Sequence, residues 1–118
     1  MRELTSHKVN GLNEALKIKV LDEPGQGNAC HQYVISFNED SNVDISFQNG
    51  PIQEAGVNGI SNEALLAIVE DRLLGFQSGP YSCRENAVAL TKVQEAMMWL
   101  QKRTLDRVKR GVEGTNVV

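Results

Sequence analysis

The stretch SCRENAVALTKVQEAMMWLQKRTLDRVKRGVEGT, Ser82 to Thr115, decides how the rest of the chain is read. From Ser82 to Arg110 no Pro or Gly interrupts it, and Ala, Leu, Met, Gln, Lys and Arg fill most positions. That composition predicts one long helix, roughly 43 Å at about 1.5 Å per residue. Ser82 and Glu85 have capping-box spacing, in which the hydroxyl and the carboxylate each satisfy an orphan amide. Gly79-Pro80 blocks continuation from upstream, and Gly111 stands where a left-handed closing residue is wanted. Ala89, Val93, Ala96, Met97 and Leu100 form a stripe, which Val88, Met98 and Trp99 widen to a second face, so the helix is expected to bury more than one side. The last turns change character. Lys102, Arg103, Arg107, Lys109 and Arg110 stand against only Asp106, and this cationic end runs into glycines.

Working outward, Ser61 caps an earlier helix, with Ile60 and Leu65 at hydrophobic-staple spacing. Leu65, Ile68, Arg72 and Phe76 fall near one of its faces, beside Ala64, Val69 and Leu73. It ends at Gln77-Ser78-Gly79-Pro80, and the short connection predicts an antiparallel helical hairpin. The second helix is the longer. Its final turns overhang their partner and need the sheet or another subunit as cover. Before the hairpin, Lys17–Leu21, His31–Phe37 and Val43–Phe47 alternate polar and apolar residues, as half-buried strands do. The polar cluster Asn38–Asn42 joins the last two as a hairpin. Gln48–Ile60 is a glycine-rich connector: Ile52 and Val57 suit continued strand pairing, but the glycines point to bends. Met1–Ala15 is weakly patterned, with one helical turn near Leu12, and His7 in it is expected to be solvated. The fold class is therefore α+β: a small N-terminal antiparallel β-sheet, residues 1–60, followed by a C-terminal antiparallel helical hairpin with a long second helix, residues 61–118, in one compact unit.

The net charge of −3 argues against a polyanion binder by bulk charge. Residues 1–60 carry four Lys/Arg against eight Asp/Glu, whereas residues 61–118 carry eight against seven, so the basic excess sits in the last helix turns. Two cysteines, Cys30 and Cys83, make no disulfide scaffold and are expected to be reduced. No apolar run approaches the ~20 residues of a membrane span, and Met1–Ser6 lacks a signal-peptide core.

No catalytic constellation stands out. Cys30 and His31 are strand neighbours and point to opposite faces, and one Cys with one His falls short of a zinc site. Gly25-Gln26-Gly27 and Asn58-Gly59 do not fit a Walker pattern and read as turns. The basic cluster admits three readings. It complements the helix dipole as a solvated helix end, it tracks nucleic-acid phosphates, or it holds a small phosphorylated ligand. For the last, Arg103, Arg107 and Arg110 share a helix face and offer planar forks to phosphate oxygens. The tail Gly111–Thr115 adds amides for an anion nest. A phosphate at this helix end is opposed by ~0.3–1 kcal/mol, against ~1.5–3 kcal/mol for each charge-assisted bond, so two arginines suffice. Phe76 and Trp99 offer stacking surfaces, though Trp99 reads better as a core aromatic.

Several motifs together resemble the helical-hairpin family shared by phage anti-Thoeris and anti-CBASS sponge proteins. They are Asn62-Glu63-Ala64-Leu65-Leu66-Ala67-Ile68-Val69, Phe76-Gln77-Ser78-Gly79-Pro80-Tyr81, Arg84-Glu85-Asn86-Ala87, Trp99-Leu100-Gln101-Lys102-Arg103-Thr104 and Arg110-Gly111-Val112-Glu113-Gly114-Thr115. Asn28–Tyr33 and Phe47–Pro51 resemble the β-domain of the anti-Thoeris branch. The likeness runs from about Gly25 to Thr115 and leaves residues 1–20 unplaced. It implies a non-enzymatic protein without a cofactor or metal, which sequesters glycocyclic ADP-ribose in the cytoplasm of the infected bacterial host. Some relatives also take CBASS cyclic di- or trinucleotides at a separate site. Hexamers built from dimers, with pockets between protomers, are implied as well. Carried over residue by residue, Phe76 stacks on the adenine and Asn86 bonds its edge. Arg103, Arg107 and Arg110 hold the pyrophosphate, Thr115 closes on the ligand, and His31 lines the pocket from the β-domain. The competing class is a helical oligomer that binds nucleic acid or serves as a structural phage protein, which steep salt dependence of strand binding would favour.

Overall fold

The computed structural model of the protein describes residues 1–118. In chain order the elements are β1 (Arg2–Leu4), α1 (Gly11–Ala15), β2 (Lys17–Val20), β3 (Gln32–Ser36), β4 (Asn42–Ser46), α2 (Ile52–Ala55), α3 (Asn62–Gln77) and α4 (Arg84–Arg110). The α+β class holds: a four-stranded antiparallel sheet precedes a helical pair with a long second member. Two compact units divide the chain. Met1–Gly50 with Ala55–Ile60 makes the sheet unit, and Pro51–Glu54 with Ser61–Val118 makes the helical unit.

In the sheet unit the strand order is β1-β2-β3-β4, every neighbour antiparallel. Ile18 pairs with Ile35 and Val20 with Tyr33, while Tyr33 and Ile35 in turn oppose Ile45 and Val43. Alternation thus gathers the apolar residues of three strands on one face. Val20 is completely buried, and Tyr33 meets Phe47 edge-on at 5.6 Å. Strand β1 was not foreseen, because three residues carry no readable period; pairing with β2 orders them. His7 is not solvated as expected. Its Nε2 lies 2.7 Å from the Leu16 carbonyl and ties the β1–β2 connection together.

The connector bends at Gly50 and Gly56, as its glycines suggested, and does not continue the strand pairing that Ile52 and Val57 offered. Ile52 starts the short helix α2, Val57 is exposed, and the strand-like contact here is a parallel bridge between Phe47 and Ile60. Side-chain amides explain the difference. Gln48 accepts from the Asn58 amide and donates to the Gly56 carbonyl, while Asn58 accepts from the Asn49 amide and donates to its carbonyl. These bonds satisfy backbone groups that strand pairing would otherwise have taken.

In the helical unit, Ser61 caps α3 as predicted, its hydroxyl accepting from the Ala64 amide at 3.1 Å. The cap of α4 is shifted. Cys83 rather than Ser82 accepts from the third helical amide, Asn86, at 3.4 Å. Ser82 is held in the turn by its amide bond to the Gly79 carbonyl, and Cys83 by its amide bond to the Gln77 side chain, so the helix begins one residue later. Gly111 closes α4 in the left-handed region, at φ 73°. The less exposed residues of α4 are Asn86, Leu90, Val93, Met97, Leu100, Thr104 and Arg107. Their three-four spacing is a narrow seam; within one chain Ala89 and Ala96 fall outside it, and so do Val88, Met98 and Trp99, which were expected to widen it to a second face. On α3 the less exposed positions include Leu65, Leu66, Leu73 and Phe76, whereas Ile68 and Val69 are exposed. No helix is long and apolar enough to cross a membrane.

Candidate functional site

With 27 residues against 16, α4 outruns α3 by roughly 16 Å at the helical rise. The overhang needs cover, and the helical unit supplies it from two distant pieces of sequence. The tail after Gly111 folds against Arg107, and the connector segment Pro51–Glu54 folds against the tail. Gln53 accounts for the second contact. Its amide donates to the Gly114 carbonyl at 3.1 Å and its side chain to the Glu113 carbonyl at 2.9 Å. Gly114 is buried with φ 80°, and a Cβ there would lie 2.9 Å from the Ile52 side chain and 3.0 Å from that of Gln53, so a larger residue is strained in its backbone and crowds both.

Arg107 is the hub. It continues the seam of Leu100 and Thr104 and is 7 % exposed. Its Nε donates to the Glu113 carboxylate at 3.1 Å. Nη2 donates to the carbonyls of Val112 and Thr115 at 2.9 and 3.0 Å, and Nη1 to that of Val117. Four of its five N–H donors are thus used inside the chain. Arg110 donates once, to the main-chain oxygen of Val118 at 2.7 Å. Lys102 pairs with Asp106 at 3.1 Å, and Arg103 has no ion-pair or hydrogen-bond partner.

These side chains surround a hollow of about 420 Å³, lined by Trp99, Lys102, Arg103, Asp106, Arg107, Arg110 and Val118. Asp106 pairs with Lys102 and Glu113 with Arg107, which leaves Arg103 and Arg110 as the cations of the hollow without an ion-pair partner. The floor is not all polar. Trp99 is 65 % exposed, which corrects the expectation of a core aromatic, and it also lines an adjoining hollow with Glu95, Met98 and Lys102. The arrangement suits an anion with an attached ring: forks for phosphate oxygens, an indole for a flat surface.

The residues proposed from sequence fall into separate groups. Arg103, Arg107 and Arg110 meet at the hollow. Thr115 lies in the tail, and its hydroxyl is already engaged, donating to the Val112 carbonyl and accepting from the Val117 amide. Phe76 and Asn86 sit at the other end of the hairpin, beside the α3–α4 turn. Seventeen residues of continuous helix separate Asn86 from Arg103, about 25 Å along the axis, so one chain does not bring the two ends together. At the turn end, Phe76 has two neighbours to which sequence reasoning gave no role, although it placed Arg72 on the same helix face. The Arg72 guanidinium lies 5.0 Å from its ring centroid, and Tyr81 approaches edge-on at 6.4 Å. The four-residue spacing of Arg72 and Phe76 on one helix face was the available signal.

His31 belongs to the sheet unit. Asp22 fixes its backbone, accepting from the amides of His31 and Gln32 at 2.9 and 3.0 Å. Desolvation pulls the Asp22 pKa upward, but those amide bonds and the neighbouring imidazole outweigh it and hold the carboxyl below its ordinary value. Both cysteines are free thiols, Cys30 buried and Cys83 exposed.

Comparison with known proteins agrees with this architecture. The chain is 56 % identical over 72 residues to "Thoeris anti-defense 1" of Bacillus phage SBSphiJ7, an alignment covering 61 % of this chain and 51 % of that protein. It therefore matches about half the length of that relative. A family described as "Acb2/Tad1, hairpin domain" matches residues 39–105, a span that includes Phe76, Asn86 and Arg103. As this match takes in more than half of the chain, together with α3 and most of α4, the protein belongs to the Acb2/Tad1 hairpin-domain family.

Proposed function

We propose that the protein is a phage anti-defence sponge. In this reading it binds the cyclic nucleotide signal of Thoeris, glycocyclic ADP-ribose, and withholds it from the host effector without cleaving it. The observation that carries this reading is the cationic hollow at the end of α4. Its volume falls in the ~300–1,000 Å³ range of small-molecule sites, and it keeps Arg103 free and Arg110 lightly held. Two charge-assisted forks at ~1.5–3 kcal/mol each outweigh the unfavourable helix dipole of ~0.3–1 kcal/mol. Similarity to a protein named for action against Thoeris supports the same signal.

Arg103 and Arg110 grip the pyrophosphate. Arg107 works from behind, holding the tail that carries Thr115 into place. Phe76 stacks on the adenine and Asn86 bonds its edge, both from a second copy, because the turn end of one chain lies too far from its own arginines. His31 lines the pocket from a sheet unit. The copies form hexamers built from dimers in the cytoplasm of the infected host. Exposed Ile68, Leu74, Met98, Trp99, Leu105 and Val108 support such assembly.

The test is incubation of purified protein with glycocyclic ADP-ribose, removal of free ligand by filtration, and heat release. Intact signal appearing only after heating is the expected result. Arg103→Ala should lower retention at least tenfold, about 1.4 kcal/mol. Degraded signal would make the protein a catalyst, and signal left wholly in the flow-through would remove this ligand. Cyclic di- and trinucleotides, then DNA at two salt concentrations, go through the same assay.

A further inference from the structure

The turn end of the hairpin holds a preset aromatic surface. Arg72 and Phe76 are one helical turn apart on α3, with the guanidinium 5.0 Å from the ring centroid. That is inside the ~6 Å range at which a cation is attracted by a ring's π face. Tyr81 meets the same ring edge-on at 6.4 Å and an interplanar angle of 64°. The ring thus has a cation over one face and a second aromatic ring beside it in T-shaped geometry, while Phe76 itself stays part-exposed. Arg72 also forms no ion pair. The four in the structure are Lys8–Glu14, Lys92–Glu95, Lys102–Asp106 and Arg107–Glu113. Its charge is therefore directed at the ring rather than neutralised by a carboxylate.

Resting on the stacking role proposed for Phe76, we infer that Arg72 is a positioning residue that sets how strongly Phe76 stacks on a nucleobase. Two physical effects act together. A cation on one face draws π density toward itself, so the opposite face becomes less negative. Face-to-face stacking with an electron-rich purine is then less opposed by quadrupole repulsion. The braced ring also has less rotamer freedom to lose when a base arrives. Neither effect requires Arg72 to touch the ligand. The arrangement favours purines over ring-free phosphates.

The test is calorimetric titration of the full chain with glycocyclic ADP-ribose for the wild type, Arg72→Met, Arg72→Lys, Phe76→Ala and the Arg72→Met/Phe76→Ala double variant. Methionine keeps the bulk and removes the charge. Arg72→Met should weaken binding about two- to fivefold, the strength of an exposed cation–ring contact, and Arg72→Lys should recover most of it. Phe76→Ala should cost about tenfold or more. The double variant should be no weaker than Phe76→Ala alone, because Arg72 acts through the ring. Equal loss from Arg72→Met with and without Phe76 would mean direct contact with the ligand and overturn the inference, as would wild-type binding by Arg72→Met while Phe76→Ala is weakened. If Phe76→Ala itself binds normally, the stacking reading and this inference fall together, while weakened retention by Arg103→Ala would leave sequestration standing.

Discussion

Arg107→Ala should release the C-terminal tail and abolish most ligand retention. The guanidinium holds three carbonyls and one carboxylate from residues 112–117. Alanine removes the guanidinium from all four, leaving the Val112 carbonyl only its bonds from Thr115, and opens a gap in the seam after Thr104. Loss of a buried, hydrogen-bonded charge costs about 3 kcal/mol, and here the cost falls mainly on the tail, since Leu90, Val93, Met97 and Leu100 still pack. Hydrogen exchange should rise sharply over residues 111–118 while the middle of α4 stays protected. Retention of glycocyclic ADP-ribose should fall at least as far as in Arg103→Ala. Arg107→Lys should rescue little, because an ammonium has no planar fork to reach carbonyls on several sides. A lysine variant with normal exchange and binding would show that charge alone anchors the tail.

Gly59→Ala should be the most damaging single change in the sheet unit. A Cβ built there lies 2.4 Å from the Phe47 carbonyl carbon and 2.6 Å from the Gln48 nitrogen. Those are backbone atoms of the very segment that Ile60 bonds on both sides, donating to Ser46 and accepting from Gln48. No rotamer relieves such a clash, so the Phe47–Ile60 bridge must part. A loss of roughly 2–4 kcal/mol is expected, read as a lower midpoint in urea for a Tyr33 or Phe47 probe. The helical signal should persist to higher denaturant. Unchanged stability would mean that the connector shifts freely and that the amide bonds of Gln48 and Asn58 do not hold it.

Much of the architecture was legible because it rests on short-range pattern. Alternation in Lys17–Leu21, His31–Phe37 and Val43–Phe47 marked three strands to within a residue or two, and Ser61, Gln77 and Gly111 marked helix ends. What escaped depends on partners distant in sequence. Strand β1 is three residues long and exists through β2. The cap of α4 moved from Ser82 to Cys83 because turn bonds from Gly79 and Gln77 took the residues before it. The stripe on α4 was misphased because Ala89 and Ala96 are apolar but small, and burial follows Leu90, Met97 and then, against intuition, Arg107. A basic residue in a basic cluster reads as solvated. Nothing in Val112, Thr115 and Val117 announces that their carbonyls converge on it. Trp99 escaped for the opposite reason: a large aromatic reads as core, yet within one chain it faces outward.

The placement of Phe76 and Asn86 at one end of the hairpin and Arg103 and Arg110 at the other has a genetic consequence. If a complete pocket draws one end from each of two copies, each protomer is half of two different pockets. A Phe76→Ala chain and an Arg103→Ala chain, each inactive alone, then complement one another when co-expressed. In a mixed pair one pocket collects both defects and its twin collects neither, so about half the capacity of that pair returns. A site contained within a single chain would recover nothing on mixing. Loss-of-function alleles should therefore sort into two groups that rescue across the division and never within it.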